Sequence, residues 1–144
     1  MPSAVSSRIL EAIDALPLYE GVRVLEIGCG PGVAAREIVR RYPGAFVLGI
    51  DRSSAAIRQA VAGSGPQISL GQLAFRAVAA ESFSLRPTDP PFHLAFALRV
   101  GAFDGRHPQV GVLALPRIAA VLAPGGRFFI DGGSPLRELP IGDA

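Results

Sequence analysis

Residues 24–32 read Val24-Leu25-Glu26-Ile27-Gly28-Cys29-Gly30-Pro31-Gly32, and this stretch decides the fold of the chain. Its first half closes an apolar, β-branched run that predicts a buried strand over 22–27. Glycines at every second position then let the backbone turn tightly and approach a ligand without Cβ atoms in the way. Pro31 suits the first turn of a helix, and we expect that helix over 33–41.

The alternation of strands and helices continues on both sides of this stretch. Further strands are predicted over 46–50, 73–79, 92–98 and 127–131, and further helices over 7–16, 53–61 and 109–122. Strands that alternate with helices form a parallel sheet covered on both faces. We therefore expect one α/β domain over 1–144, with a mostly parallel sheet of about five strands and a tail or short return segment over 133–144.

Composition and charge argue against several classes of protein. The chain is 49% apolar and 18% charged, as a compact domain should be. All 14 cationic residues are arginines, spread along the chain, and a net charge of +2 argues against a nucleic-acid partner. The apolar stretch 110–124 contains Pro116 and Arg117 and is too short to span a bilayer. With a single cysteine and no apolar signal run over 1–8, we expect a cytoplasmic protein.

Ligands of a parallel α/β sheet bind at the carboxyl ends of its strands, so the acids found there are candidate ligand contacts. Asp51 ends the second strand, where its carboxylate can accept from both ribose hydroxyls or begin the turn before a helix capped by Ser53. Glu81 follows the third strand, where it can meet the amine of an adenine or be a solvated loop acid. A dinucleotide fingerprint would need a glycine at position 33, where Val33 stands.

These motifs resemble those of the class I S-adenosylmethionine-dependent methyltransferases. The resemblance is carried by residues 24–32, 49–53 and 80–83 and by Leu122-Ala123-Pro124-Gly125-Gly126, and it extends over 20–131. It implies a Rossmann-like three-layer sandwich. It also implies an enzyme that transfers the methyl group of S-adenosylmethionine to a small-molecule acceptor that the sequence does not identify, with S-adenosylhomocysteine as product.

The resemblance assigns cofactor contacts to the residues that follow the strands. The implied contacts are Glu26, Gly28, Cys29, Gly30, Gly32, Asp51, Arg52, Ala80, Glu81, Ser82 and Leu98. The three glycines would wrap the methionine part, with Cys29 as a small packing residue among them, and Glu26 would hold its amino group. Asp51 would bind the ribose. Arg52 would lie beside the adenine, whose edge Glu81 or the backbone of 80–82 would read, and Leu98 and Arg99 would face the methyl group.

Catalytic candidates come from the loop after the fourth strand. This loop lacks the Asn-Pro-Pro-Tyr signature of methyltransferases that act on nucleic-acid bases or glutamine. Arg99 and Arg106 can hold an anionic acceptor through paired hydrogen bonds, or they can be ordinary surface arginines. Asp104 and His107 can act as bases for an acceptor hydroxyl or amine. No Cys, His and acid cluster has metal-ligand spacing, so no metal is expected.

The carboxyl end departs from the family pattern. Family members commonly continue past strand five with a helix and an antiparallel strand pair, whereas about thirteen residues follow it here. We therefore expect a sheet that lacks this strand pair and ends at strand five. Its exposed apolar edge would be covered by a second copy, as in a homodimer, or by another partner. The alternative function is a non-catalytic S-adenosylmethionine-binding regulatory or partner subunit; an oxidoreductase using a dinucleotide is disfavoured by Val33.

Overall fold

The computed structural model describes residues 5–141 as strands that alternate with helices. The strands are β1 (Arg23–Ile27), β2 (Phe46–Asp51), β3 (Leu73–Ala77), β4 (Phe92–Ala97), β5 (Leu122–Asp131) and β6 (Leu136–Leu139). The helices are α1 (Ser7–Ala15), α2 (Val33–Arg41), α3 (Ser54–Ala62), α4 (Gly65–Ser69) and α5 (Pro108–Val121), with a single 3₁₀ turn at Ala80–Ser82. Among residues 5–141, no helix is long and apolar enough to cross a membrane.

The six strands form one sheet in the order β3-β2-β1-β4-β5-β6. The first five run parallel, and the strand order reverses between β1 and β4. This is the doubly wound arrangement that the sequence predicts, so the fold class is confirmed. In such sheets the crevice for a ligand opens at the carboxyl ends of the strands, beside the point of reversal.

Helices cover both faces of the sheet, because successive side chains of each central strand point to opposite sides. Val24 of β1 packs in a buried cluster with Ile38 of α2 and Ile13 of α1. Leu25, the next residue, packs in a second cluster with Ile118 of α5. Burial on both faces explains why the parallel strands read as apolar runs rather than as alternating patterns.

The expectation that the sheet ends at strand five is wrong. β6 pairs antiparallel with β5, from Phe128↔Leu139 to Asp131↔Leu136. Arg127 donates to Glu138 across this pair at 2.8 Å. The chain itself therefore covers the edge for which a second copy was expected. The predicted short return segment is a strand, although residues 142–144 lie outside the described part of the chain.

Two other features differ from the sequence prediction. The helix predicted over 53–61 ends at Ala62, before the Gly63-Ser64-Gly65-Pro66 breaker, but the prediction does not include α4, which holds Pro66 in its first turn, where the missing N–H costs nothing. β5 begins at Leu122, directly after α5, rather than at Arg127. The Pro-Gly-Gly sequence that predicts a turn is accommodated instead as an irregular register between β5 and Phe92 of β4.

Candidate functional site

The turn after β1 has a backbone that demands glycine. Gly28 and Gly30 have φ angles of 68° and 53°, which L-residues with side chains rarely adopt. A Cβ on Gly28 would lie 2.6 Å from Val100 Cγ2, whereas a Cβ on Gly30 would meet nothing within 4 Å. Gly28 is therefore fixed by packing against the loop after β4. Gly30 instead borders open space at the carboxyl edge of the sheet.

That open space is a groove of about 810 Å³ between the glycine turn, α1 and the ends of β4 and β5, which we call the large groove. Glu26 lines it, is only 5% exposed, and its Oε1 has no hydrogen-bond partner within the described chain. Burial and the nearby negative charge of Asp51 raise the pKa of Glu26 to about 8. A buried carboxylate oxygen without a donor costs free energy that a ligand ammonium group would recover. The residues present therefore fit the amino group of a methionine moiety.

Asp51 joins the end of β2 to the glycine turn. Its Oδ2 accepts from the Gly30 N–H at 3.0 Å and its Oδ1 from the Ser53 N–H at 2.9 Å. The Ser53 hydroxyl in turn accepts from the Ala56 N–H and caps α3. The turn expected before a capped helix is therefore present. The two carboxylate oxygens each retain a lone pair, so this contact leaves Asp51 able to accept from ribose hydroxyls.

Asp51 also lines a second cavity of about 330 Å³, which we call the narrow cleft. Arg52 and Glu81 lie at this cleft 3.5 Å apart as an ion pair, beside the half-buried Ala79 and buried Ala80. Ser82, expected here from the sequence, does not line the cleft. The apolar lining residues Val78, Val100 and Val110 were missed; the apolar residue directly after β3 was the available signal.

The large groove and the narrow cleft meet at Gly28 and Arg99, which line both. Leu98 lines the large groove beside Arg99. Arg99 has a φ of 56° and is the only non-glycine residue with positive φ among residues 5–141. Its N–H donates to Asp131 Oδ2 at 3.0 Å, and its carbonyl accepts from Arg106 Nη2 at 3.0 Å. Asp131, which ends β5 as Asp51 ends β2, was missed although it carries the same signal.

The remaining catalytic candidates, Asp104, Arg106 and His107, have different surroundings in the structure. Arg106 Nε donates to both oxygens of Asp104, at 3.0 and 2.8 Å, and the pKa of Asp104 is lowered chiefly by this hydrogen bonding. A paired carboxylate of lowered pKa is a poor general base, so the structure favours Asp104 as a support for Arg106. The ring of His107 lies at the narrow cleft against Gly101. No group of metal-ligating side chains occurs within residues 5–141.

Cys29 is buried, and its sulfur lies where a Cβ on Gly49 would clash with it, at 2.9 Å. Burial raises the pKa of the thiol, which suppresses the reactive thiolate. Cys29 therefore packs the glycine turn against β2, as the sequence suggests.

Comparisons with known proteins agree with this geometry. Residues 24–126 match the family model described as a methyltransferase domain. The trans-aconitate 2-methyltransferase of Methylobacterium nodulans is 38% identical over 128 residues, which are 89% of this chain and 45% of that protein. Thus the chain spans about half the length of the curated relatives it matches.

Solved structures share the same fold. An S-adenosylmethionine-dependent methyltransferase from Thiobacillus denitrificans, in complex with S-adenosylhomocysteine, is 25% identical with a TM-score of 0.66; the match covers 88% of this chain and 48% of that one. The cyclase SpnF is 25% identical with a TM-score of 0.70, covering 85% and 43%. Together with the family match, these findings make S-adenosylmethionine the cofactor of this site, and the chain belongs to the class I S-adenosylmethionine-dependent methyltransferase family.

Proposed function

We propose that the chain transfers the methyl group of S-adenosylmethionine to a carboxylate oxygen of a small polycarboxylate. The observation that carries the cofactor half is Glu26, a buried carboxylate with an unpartnered oxygen in the large groove. The acceptor class is supported by the 38% identity to a trans-aconitate 2-methyltransferase. The arginines that line the same groove add to this support.

The chain's own residues divide the task of holding the cofactor. Ionised Glu26 would pair with the amino group, and Gly30 leaves room for the methionine part. Asp51 would accept from the ribose hydroxyls, and the ion pair of Arg52 with Glu81 borders the cleft for the adenine. When bound, S-adenosylmethionine supplies a methyl group whose bond to sulfur breaks, with the electron pair left on sulfur, as the acceptor oxygen bonds to carbon.

A carboxylate acceptor suits this site, where the candidate base Asp104 is already paired with Arg106. An ionised carboxylate carries no proton, so forming its methyl ester requires no base. The pairing of Asp104 with Arg106, which makes Asp104 a poor base, is therefore compatible with this reaction. Positioning of the two reactants and exclusion of water would supply most of the rate enhancement. The groove residues would achieve this by fixing the acceptor beside Gly28 and Arg99, where the two cavities meet.

Calorimetric titration with S-adenosylhomocysteine tests the cofactor half, with a nicotinamide dinucleotide as the matched negative control. We expect saturable micromolar binding of the first and none of the second. Turnover is then measured as S-adenosylhomocysteine formed from S-adenosylmethionine with trans-aconitate. Binding with turnover supports the proposal. Binding without turnover on trans-aconitate would favour the non-catalytic subunit, and absence of binding to a folded sample would refute both.

A further inference from the structure

Two arginines at the large groove hold guanidinium groups with no partner in the described chain. The side chains of Arg8, in α1, and Arg99, after β4, form no ion pair or hydrogen bond with any of residues 5–141. Both line the large groove, together with Glu26 and Gly30. Both also line an adjoining depression of about 510 Å³ with Asp104, Arg106 and Asp131. We call these five residues the arginine cluster.

Charge within the arginine cluster favours an anionic ligand. Its three arginines and two aspartates leave a net charge of +1. Asp104 is neutralised by Arg106, and one oxygen of Asp131 accepts from the Arg99 backbone. The guanidiniums of Arg8 and Arg99 are therefore the cationic groups of the cluster without an ion-pair partner, and they outweigh the single negative charge of Asp131, which the Arg99 N–H binds without neutralising. Guanidinium groups bind carboxylates through paired, charge-assisted hydrogen bonds.

The backbone of Arg99 indicates that its position is imposed rather than incidental. A non-glycine residue at a φ of 56° is strained, and such strain persists only where the surroundings fix it. Here Asp131 holds the N–H and Arg106 holds the carbonyl, so both peptide groups of Arg99 are tied to charged side chains. An arginine that merely coated the surface would need neither contact. These two contacts, which we call the Arg99 clamp, keep the Arg99 side chain where the large groove and the narrow cleft meet.

We infer that Arg8 and Arg99 form a carboxylate subsite that selects acceptors bearing at least two carboxylates. One carboxylate would accept from the two guanidiniums while another is presented for methylation. Arg106 and Asp131 act as positioning residues for Arg99. The inference rests on the proposed function, which it deepens by naming the residues that recognise the second carboxylate of the acceptor. It also makes α1 part of the acceptor site.

The test is acceptor binding to the chain saturated with S-adenosylhomocysteine, which cannot turn over. Calorimetry with trans-aconitate compares the parent with Arg8→Ala, Arg99→Ala and the double variant. The control is Arg117→Ala, an exposed arginine of α5 that lines neither cavity. We expect each single variant to lower the affinity for trans-aconitate about tenfold or more, because a charge-assisted hydrogen bond is lost. The affinity for S-adenosylhomocysteine should fall much less than the affinity for trans-aconitate, and Arg99→Lys should restore part of the loss of trans-aconitate binding.

A monocarboxylate, crotonate, distinguishes a specific subsite from general attraction of anions. Crotonate should bind the parent far more weakly than trans-aconitate, and the arginine variants should bind the two acids almost alike. Equal trans-aconitate affinity in the parent and the double variant would overturn the inference. So would a parent that binds S-adenosylhomocysteine but not trans-aconitate. A parent that binds no S-adenosylhomocysteine would instead refute the proposed function itself.

Discussion

The carboxyl edge of the sheet has two halves that are built by different means. On the β1–β2 side, Glu26, Gly30 and Asp51 form the site through backbone conformation and burial. On the β4–β5 side, the arginine cluster forms it through charged side chains, of which Asp131 and Arg106 bind the backbone of Arg99 and Arg106 pairs with Asp104. In the function we propose, the first half holds the cofactor, which is the same for every acceptor. The second half holds the acceptor, and its surface residues can change by single substitutions without rebuilding the fold.

The largest effect is expected from a substitution that fills the cofactor half of the site. Gly30→Val places a branched side chain in the open space beside the glycine turn. We expect S-adenosylhomocysteine binding, measured by calorimetry, to weaken by about a hundredfold or more, equivalent to at least ~3 kcal/mol. Gly71→Val is the matched control, because Gly71 also has positive φ and open space but lies outside both cavities. Similar losses of binding in the two variants would mean that strain, not space, is responsible.

The protonation of Glu26 gives the first half a pH dependence that the second lacks. With a pKa of about 8, Glu26 must lose a proton before it can pair with the ligand ammonium group. Affinity for S-adenosylhomocysteine should therefore rise about tenfold per pH unit between about pH 6 and about pH 7.5. Glu26→Gln should bind more weakly and show no such slope. A parent affinity that is flat across this range would contradict the role of Glu26.

The same group should make the fold less stable as the pH rises. The folded chain keeps the Glu26 proton between the ordinary pKa of 4.5 and about 8, whereas the unfolded chain loses it. Because the folded state binds more protons in that window, the free energy of unfolding falls with pH. Thermal unfolding of Glu26→Gln should show a smaller decline over this range than the parent, whose decline would then be assigned to this carboxyl.

Two strand-end aspartates allow the halves to be separated with matched substitutions. Asp51→Asn should lower the affinity for S-adenosylhomocysteine about tenfold, because charge-assisted hydrogen bonds are lost. It should leave acceptor binding to the saturated complex unchanged. Asp131→Asn should leave S-adenosylhomocysteine binding unchanged. It should lower the affinity for trans-aconitate, because it weakens the hydrogen bond that holds the Arg99 N–H. Calorimetry with both ligands measures all four values. If each variant affects both ligands equally, the two halves are not independent.

The smallest expected effect concerns the strain at Arg99. Arg99→Gly and Arg99→Ala both remove the guanidinium, but only glycine adopts a φ of 56° without strain. The glycine variant should therefore be more stable than the alanine variant by about 1 kcal/mol in chemical denaturation. Both should show the same loss of trans-aconitate binding. Equal stability would indicate that the backbone relaxes at this position once the arginine is gone.

The sequence predicts the first half well because its signals are local. The strand, the glycine turn and the helix after it occupy 22–41, and the side chains that form the pocket lie within or directly after strands. The family match and the solved relatives confirm the fold and the cofactor. The individual contacts to the cofactor remain predictions, to which the unpartnered oxygen of Glu26 gives physical support.

The contacts on the β4–β5 side could not be predicted from the sequence, because they join segments that are distant along the chain. Arg99 and Asp131 are 32 residues apart in sequence, and no periodicity signals that they meet. The same holds for β6, whose Leu136-Arg137-Glu138-Leu139 shows no strand alternation and pairs only because a turn returns it to β5. Asp104 and Arg106 are close in sequence, yet their spacing could not show that one engages the other.

The burial of Cys29 gives the chain a built-in reporter. It is the single cysteine of the sequence, and its thiol lies beneath the glycine turn against Gly49. Because thiolate is the reactive form, a disulfide reagent would modify the native chain only when this turn opens. The labelling rate then measures the free energy of local opening. Bound S-adenosylhomocysteine would slow it in proportion to occupancy, so that ligand affinity could be read from one natural thiol without measuring turnover.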